Sequence, residues 1–160
     1  MIFVSVGMQM PFDRLCRTVD EWCGRRERKD VFMQIGSTSW SPSNCDYAQL
    51  LEPDEYAERV AGSSVLVMHA GIGSILAAMK YEKPIIVMPR RASMRETRND
   101  HQTATARMFK KLGGISVALD EFELAERLDS LDAIAKPAPL SPSASSELIT
   151  ALRTFIHAAA

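Results

Sequence analysis

Five short apolar runs, separated by longer mixed segments, dominate the hydrophobic pattern of the chain. Apolarity that continues through a run, rather than alternating with polar residues, is typical of strands buried on both faces of a parallel sheet. The pattern therefore predicts strands at 2–6, 31–35, 64–68, 84–88 and 115–119.

Helical patterns lie between these runs. The clearest one has six residues on a single face: Phe12, Leu15, Cys16, Val19, Trp22 and Cys23. Apolar residues at this spacing predict an amphipathic helix, and similar patterns predict helices at 74–81 and 105–112. Strands that alternate with helices predict a doubly wound α/β fold with right-handed crossovers. We expect a single Rossmann-like domain with a mostly parallel sheet.

The carboxyl-terminal part of the chain divides into two further segments. We place the nucleotide-binding domain at 1–135, a connector rich in proline and serine at 136–145, and an amphipathic helix at 146–160. Five apolar residues share one side of that helix: Leu148, Ile149, Leu152, Phe155 and Ile156. This face is either a docking element for a partner or a surface that packs back on its own domain.

Composition narrows the class of protein. A net charge of -1 over 160 residues argues against nucleic-acid binding, because many phosphates would need to be neutralised. Cys16, Cys23 and Cys45 form an odd set without zinc-like spacing, so we expect no disulfide, no metal and a reducing compartment.

The opening "MIFVSVGMQM" indicates a first strand rather than a signal peptide. No apolar run approaches the roughly 20 residues that cross a bilayer, so we predict a cytoplasmic protein.

A glycine-rich turn follows the third predicted strand, in the stretch "MHAGIGS" at 68–74. Gly71 and Gly73 allow a ligand to approach the backbone, and the helix that follows offers unpaired N–H groups at its positive end. A phosphate is the natural ligand, with Ser74 and His69 as further donors. The alternative is that the glycines only permit close packing of strand and helix, since short glycine patterns are common.

Three motifs in order carry a resemblance to a known family. "HAGIGSILAAMKYEKPIIVMP", followed by "NDHQ" at 99–102, resembles the donor-binding half of family-28-type glycosyltransferases of the GT-B fold. Within that group the chain is similar to short stand-alone subunits. One of these is the small cytosolic subunit of the dolichol-diphosphate GlcNAc transferase. The PssE-type exopolysaccharide subunits are more similar still, because they also have counterparts of the segments "FVSVGMQMPFDRL" and "MPRRASMRETRNDHQ". The resemblance covers about residues 1–120 and implies the fold of a GT-B carboxyl-terminal half.

The resemblance implies roles for particular residues. The donor diphosphate would be held by His69, Gly71, Gly73 and Ser74, faced by a loop with Gly7 and Gln9. Hydroxyls of the transferred sugar would contact Asp100, His101 and Gln102. Each group has a simpler alternative: a strand-to-helix turn at Gly7, and a helix cap by Asn99 or Asp100.

Two positions depart from the pattern of these relatives. Ala77 stands where many of them carry a glutamate that binds the ribose hydroxyls, and Met8 stands where a threonine is frequent. We therefore expect weaker ribose recognition, or recognition from another part of the molecule.

Four arginines crowd the loop before "NDHQ", namely Arg90, Arg91, Arg95 and Arg98. Guanidinium groups bind carboxylates through two hydrogen bonds, so Arg90 or Arg91 suits an acidic sugar such as glucuronic acid, or the departing diphosphate. The alternatives are a solvated loop or an interface with an acidic partner. For Arg95 and Arg98, with Glu96 between them, we predict surface ion pairs.

A GT-B enzyme works in a cleft between two halves, and this chain has the length of one. The resemblance implies an inverting transferase whose membrane-anchored partner subunit supplies a lipid-linked sugar acceptor at the inner face of the cytoplasmic membrane. The catalytic base is expected on that partner; His69, His101 and Arg91 are the candidates in this chain. No cofactor is expected beside the UDP-sugar.

Several alternatives remain for the identity of the donor and for the class of function. UDP-glucuronate, used in exopolysaccharide synthesis, is the first reading for the donor, and UDP-GlcNAc is the alternative. A non-catalytic α/β module that binds a nucleotide or a partner is the competing class, and a nucleotide-sugar epimerase ranks last.

Overall fold

The computed structural model describes residues 1–112, 114–139 and 146–158. Within them, six strands form one sheet. The strands are β1 (Ile2–Ser5), β2 (Val31–Gln34), β3 (Asp46–Ala48), β4 (Val65–His69), β5 (Ile85–Met88) and β6 (Ser116–Val117). Every neighbouring pair is parallel, so the sheet is entirely parallel rather than mostly so.

The helices in the described residues follow the strands in a doubly wound pattern. They are α1 (Asp13–Arg26), α2 (Pro53–Gly62), α3 (Ile72–Lys80), α4 (His101–Leu112), α5 (Glu121–Asp129) and α6 (Ser146–Ala158). Two short 3-10 turns lie at Ala92–Met94 and Leu131–Ala133. No helix of the described residues combines the length and the apolarity that a membrane span requires.

All five apolar runs contain a strand, which confirms the interpretation of continuous apolarity. The reason is that both faces of the sheet are covered. On one face Val4 and Val67 pack against α1 and α5. On the other face Phe3 and Leu66 pack against residues of α2, α3 and α4, among them Val60, Ile75 and Ala106.

The edge strand β3 was not predicted, and neither were α2 and α5. β3 has only three residues, two of them exposed, and it lies at the edge of the sheet beside β2. An edge strand buries little side-chain surface and therefore needs no apolar run. Helix α3 begins at Ile72, two residues before the predicted start at Ser74.

The strand order β3-β2-β1-β4-β5-β6 places a reversal of winding in the middle of the sheet. From β1 the chain proceeds through β2 to the edge at β3, then returns to the other side of β1 as β4. β1 and β4 are hydrogen-bonded neighbours, with Ser5 opposite Met68 near their carboxyl ends. Open α/β sheets bind ligands at such a switch point, outside the carboxyl ends of the strands.

The predicted connector at 136–145 is described only for its first four residues, which form no regular element; residues 140–145 lie outside the described residues. The predicted terminal helix is present as α6, and residues 159–160 also lie outside that description. Leu152, Phe155 and Ile156 expose 52%, 74% and 62% of their surface. That part of the apolar face is therefore not buried against the described domain.

Candidate functional site

A cavity of about 330 Å³ opens at the carboxyl ends of β1, β4 and β5. Its walls come from the loop after β1, from the loop after β5 and from the start of α4. Ten residues line it: Val6, Gly7, Met8, Gln9, Met10, His69, Arg90, Glu96, Thr97 and Gln102. Five of the residues predicted to bind the donor thus come together at the switch point of the sheet.

A larger cavity of about 630 Å³ lies at the opposite end of the sheet. It is lined by Ile2 and Val65, the first residues of β1 and β4, and by Pro84 just before β5. The amino ends of parallel strands are not where α/β folds hold their ligands. The smaller cavity is therefore the candidate site.

The ring of His69 lies between two glycines. A methyl group on Gly7 would sit 2.9 Å from Nε2 of His69, and one on Gly71 would sit 2.3 Å from Cε1. Gly7 also has a φ of +75°, which side chains disfavour. Both glycines are therefore needed to accommodate the imidazole, whereas the family resemblance implied that they contact the donor diphosphate.

Gly73 differs from these two glycines, because a methyl group added there would meet no atom within 4 Å. It lies in the first turn of α3, which follows Gly71 and has no side-chain cap at its amino end. Ser74, the next residue, is buried. An uncapped helix start with open space beside it offers backbone N–H groups to an anion. The structure therefore leaves space at Gly73 for the ligand contact that the sequence predicts.

His69 is electrically neutral at pH 7. Its pKa is lowered to about 4, mainly by burial and to a lesser extent by the positive charge of Arg90. A neutral imidazole has one N–H donor and one acceptor nitrogen. At neutral pH His69 can therefore offer a ligand a hydrogen bond but not a positive charge.

Arg90 is buried, and its guanidinium group binds the backbone of its own chain. Nη1 donates to the carbonyls of Pro11 and Glu96, while Nη2 donates to those of Val6 and Met10, both at 2.6 Å. These four bonds use the four terminal N–H groups that a sugar carboxylate would need. The structure thus gives Arg90 the role of joining the loop after β1 to the loop after β5.

Glu96 holds the same loop in place from the other side. Its carboxylate accepts two hydrogen bonds of 2.8 Å from Arg14 in α1 and one of 2.9 Å from the backbone N–H of Arg91. The predicted surface pairing of Glu96 with Arg95 or Arg98 is wrong, because its partner lies in α1. Arg91 donates its Nη2 to the carbonyl of Leu119, beyond β6, and does not line the cavity.

Of the three residues predicted to contact hydroxyls of the sugar, only Gln102 lines the cavity. Asp100 accepts a hydrogen bond from the backbone of Ala92 and so braces the loop after β5. Asn99 accepts from the N–H of His101, as a helix-capping residue does, and His101 is exposed. Residues 99–101 therefore cap the start of α4, as the capping alternative predicted, while Gln102 lines the cavity.

Met10, Glu96 and Thr97 line the cavity without having been singled out as ligand-binding residues. No local pattern marks Glu96, since its partner Arg14 lies 82 positions away in the chain. Met8 is exposed on the loop after β1, at the mouth of the site. Within the described residues, no group of three or more histidine, cysteine, aspartate or glutamate side chains is arranged to hold a metal ion.

Residues 1–149 match the model of the glycosyltransferase family 28 C-terminal domain. The chain belongs to this family. A curated relative, the UDP-N-acetylglucosamine transferase subunit ALG13 of Eremothecium gossypii, is 34% identical over 125 residues. That alignment covers 66% of this chain and 60% of the relative, so the chain spans about three-fifths of the length of the curated relative it matches.

Solved structures share the fold of this family 28 domain. The glycotransferase of kitacinnamycin superposes with a TM-score of 0.62 at 19% identity, and the calicheamicin glycosyltransferase CalG4 with 0.58 at 20%. Each superposition covers 82% of this chain and 34% of the other protein. The solution structure of ALG13 gives a TM-score of 0.62 at 21% identity, covering 88% of this chain and 89% of that one. The chain thus has the fold of one domain of a GT-B glycosyltransferase.

Proposed function

We propose that this chain is the donor-binding subunit of a glycosyltransferase and holds a nucleoside-diphosphate sugar at the carboxyl ends of β1 and β4. The observation that carries the proposal is the uncapped start of α3, with open space at Gly73, beside a neutral His69 at the switch point of the sheet. A diphosphate is stabilised there by backbone N–H groups and by the helix dipole. Family membership supports the same ligand class.

For the donor we place UDP-GlcNAc first. The curated relative at 34% identity bears the name of a UDP-N-acetylglucosamine transferase subunit, which supports uridine and GlcNAc together. The case for UDP-glucuronate required a free guanidinium at the sugar, and the terminal nitrogens of Arg90 are bonded to backbone carbonyls. UDP-glucuronate is therefore the second candidate, and exopolysaccharide synthesis the second setting.

The acceptor side of the reaction is assigned to a second polypeptide. The curated relative at 34% identity bears the name of a transferase subunit, and a cleft needs a facing domain to orient the acceptor. We infer a membrane-anchored partner that presents a lipid-linked sugar at the cytoplasmic side of the membrane. We place the catalytic base on that partner as well: His101 and Arg91 do not line the cavity, and His69, which does, is assigned to the donor.

Isothermal titration calorimetry of the purified chain tests donor binding. UDP-GlcNAc, UDP-glucuronate, UDP-glucose and GDP-mannose are titrated in turn, with UDP as the common reference. We expect binding of the uridine nucleotides, strongest for UDP-GlcNAc, and none of GDP-mannose. No heat with any of the uridine nucleotides would refute the proposal, and a preference for UDP-glucuronate would restore the second candidate.

A transfer assay separates a catalytic subunit from a non-catalytic nucleotide-binding module. The purified chain is incubated with radiolabelled UDP-GlcNAc and a polyprenyl-diphosphate sugar, alone and with membranes of the organism from which the chain comes. We expect labelled lipid only in the second mixture. Donor binding without transfer in either mixture favours the module, and transfer by the chain alone refutes the need for a partner.

A further inference from the structure

Gln102 connects two parts of the cavity through the two ends of its side-chain amide. Its Oε1 accepts the backbone N–H of Arg90 at 3.2 Å, and its Nε2 lies 3.4 Å from Nδ1 of His69. A backbone N–H can only donate, so the end of the amide that faces Arg90 must be the oxygen. The amide orientation is therefore decided by the backbone and not by the histidine.

The orientation of the amide decides which ring nitrogen of His69 carries the proton. The NH2 group of Gln102 can only donate, so Nδ1 of His69 must accept and is unprotonated. Burial lowers the pKa of His69 to about 4, and the ring is neutral at pH 7. The single proton of a neutral ring with an accepting Nδ1 lies on Nε2.

Nε2 of His69 lies on the side of the ring that faces Gly7, a residue that lines the cavity. A methyl group on Gly7 would come within 2.9 Å of Nε2, whereas one on Gly71 would come within 2.8 Å of Nδ1. Both glycines thus hold the ring in one position. Within residues 1–112, 114–139 and 146–158, no acceptor is hydrogen-bonded to Nε2. The Nε2–H group is available to a ligand.

We propose that Gln102 is a positioning residue that holds His69 as the Nε2–H tautomer, so that Nε2 donates a hydrogen bond to an anionic oxygen of the bound ligand. Gln102 then acts through His69, in contrast to the sugar-hydroxyl contact that the family resemblance implies. The ligand part of this inference rests on the proposed function. The tautomer part rests only on contacts within the chain.

Nitrogen-15 NMR of the imidazole rings in the ligand-free protein tests the tautomer. The chain has three histidines, and the variants His101→Gln and His157→Gln assign the signals of His69 by elimination. At neutral pH we expect the shift of a protonated Nε2 and of an unprotonated Nδ1. A protonated Nδ1 in the wild-type protein overturns the tautomer assignment.

Gln102→Glu tests whether Gln102 is the cause. A carboxylate still accepts the N–H of Arg90, but towards His69 it can only accept, so Nδ1 must take up a proton. Gln49→Glu makes the same charge change at an exposed residue just after β3, at the far edge of the sheet. We expect a protonated Nδ1 in Gln102→Glu and not in Gln49→Glu. An unprotonated Nδ1 in Gln102→Glu overturns the positioning role.

Two replacements of His69 test the ligand contact, with UDP as the probe in calorimetry. The amide of Gln reaches the position of Nε2, while the shorter Asn reaches only that of Nδ1. We expect His69→Asn to bind UDP about ten- to a hundredfold more weakly, as for loss of a hydrogen bond to a charged group, and His69→Gln to keep most of the affinity. Equal affinities, or the reverse order, overturn the contact.

The two parts of the inference fail in distinguishable ways. If the wild-type chain binds no UDP, the proposed function and the ligand contact both fall. The tautomer is then still judged from the ligand-free spectra of the wild type and of Gln102→Glu. If UDP binds and the two His69 variants behave alike, the proposed function stands and only the role of Nε2 is refuted.

Discussion

Arg14 and Glu96 form a paired salt bridge that fastens the loop after β5 to helix α1. Nε and Nη2 of Arg14 each lie 2.8 Å from one carboxylate oxygen, and the two side chains are only 9% and 11% exposed. The same arginine also donates to the carbonyl of Pro89 and to Glu121. The position of the loop that carries Arg90 therefore depends on an ion pair shielded from water.

Replacing Glu96 by Gln should destabilise the protein strongly. The change leaves Arg14 with a partly buried charge that only Glu121 still balances, and we expect the free energy of unfolding to fall by about 3 kcal/mol. Urea denaturation followed by tryptophan fluorescence measures this change. Glu55→Gln is the matched control, because Glu55 pairs with Arg59 at an exposed i,i+4 position worth only about 0.5 kcal/mol. Similar effects of the two variants would contradict a structural role for Glu96.

Replacing Arg90 by Met should loosen both loops of the cavity and reduce stability. The variant loses charge-assisted hydrogen bonds to four backbone carbonyls and the contact of the guanidinium with the Phe12 ring. We expect a loss of at least about 3 kcal/mol in the free energy of unfolding. Arg98→Met, at an exposed position of the same loop, should stay within about 0.5 kcal/mol of wild type.

The variant Arg90→Met also tests whether the donor is UDP-glucuronate. If Arg90→Met keeps wild-type stability but loses a preference for UDP-glucuronate, then Arg90 contacts the sugar and the glucuronate reading returns. A stability loss with an unchanged order of donor affinities supports the role seen in the structure.

Replacing Gly73 by Val should weaken donor binding without loss of stability. The added side chain enters open space at the start of α3, where we place the diphosphate, and prevents close approach to the backbone N–H groups. We expect UDP affinity to fall at least about tenfold, which corresponds to about 1.4 kcal/mol. Calorimetry measures the affinity, and thermal unfolding shows that the fold is intact.

Two other glycines serve as comparisons for Gly73→Val. Gly62→Val also places its side chain in open space, but at the end of α2, and should leave UDP affinity unchanged. Gly71→Ala, in contrast, places a methyl group 2.3 Å from the His69 ring and should reduce stability as well as binding. Unchanged affinity in Gly73→Val would refute the assignment of the diphosphate to this turn.

Acidification should destabilise the protein through His69 well before the carboxylates protonate. The pKa of His69 is lowered from 6.5 to about 4 in the folded state, mainly by burial, so protons bind the unfolded chain more tightly. The free energy of unfolding therefore falls as pH drops from 6.5 to 4, by about 3 kcal/mol in full.

Denaturation curves across that pH range, for wild type and for His69→Gln, measure the contribution of the histidine. The variant should lose the slope between these two pH values. Asp30 and Asp129, whose pKa values lie below 3.8 because Arg28 and Arg26 bind them, act only at still lower pH. An equal slope in both proteins would show that His69 is not the group that titrates.

Local pattern alone was sufficient to determine the fold class and to place the candidate site at the carboxyl ends of the strands. The continuous apolar runs indicated strands that are buried on both faces of the sheet. Parallel strands bring all their carboxyl ends to one edge of that sheet. The turns at Gly7 and at His69–Ser74 therefore had to lie near each other, and the cavity is where they meet. β3 was missed because an exposed edge strand of three residues has no such pattern.

The roles of individual side chains at the site were decided by the tertiary structure. Arg90 meets carbonyls about 80 positions earlier in the chain, and Gln102 meets a histidine 33 positions earlier. Gly7 and Gly71 are needed because His69 occupies the space beside both of them. Periodicity along the chain records whether a residue is buried, since burial repeats with the geometry of each helix or strand. The identity of a side chain's partner depends on which distant segments pack together, and spacing along the chain carries no trace of that.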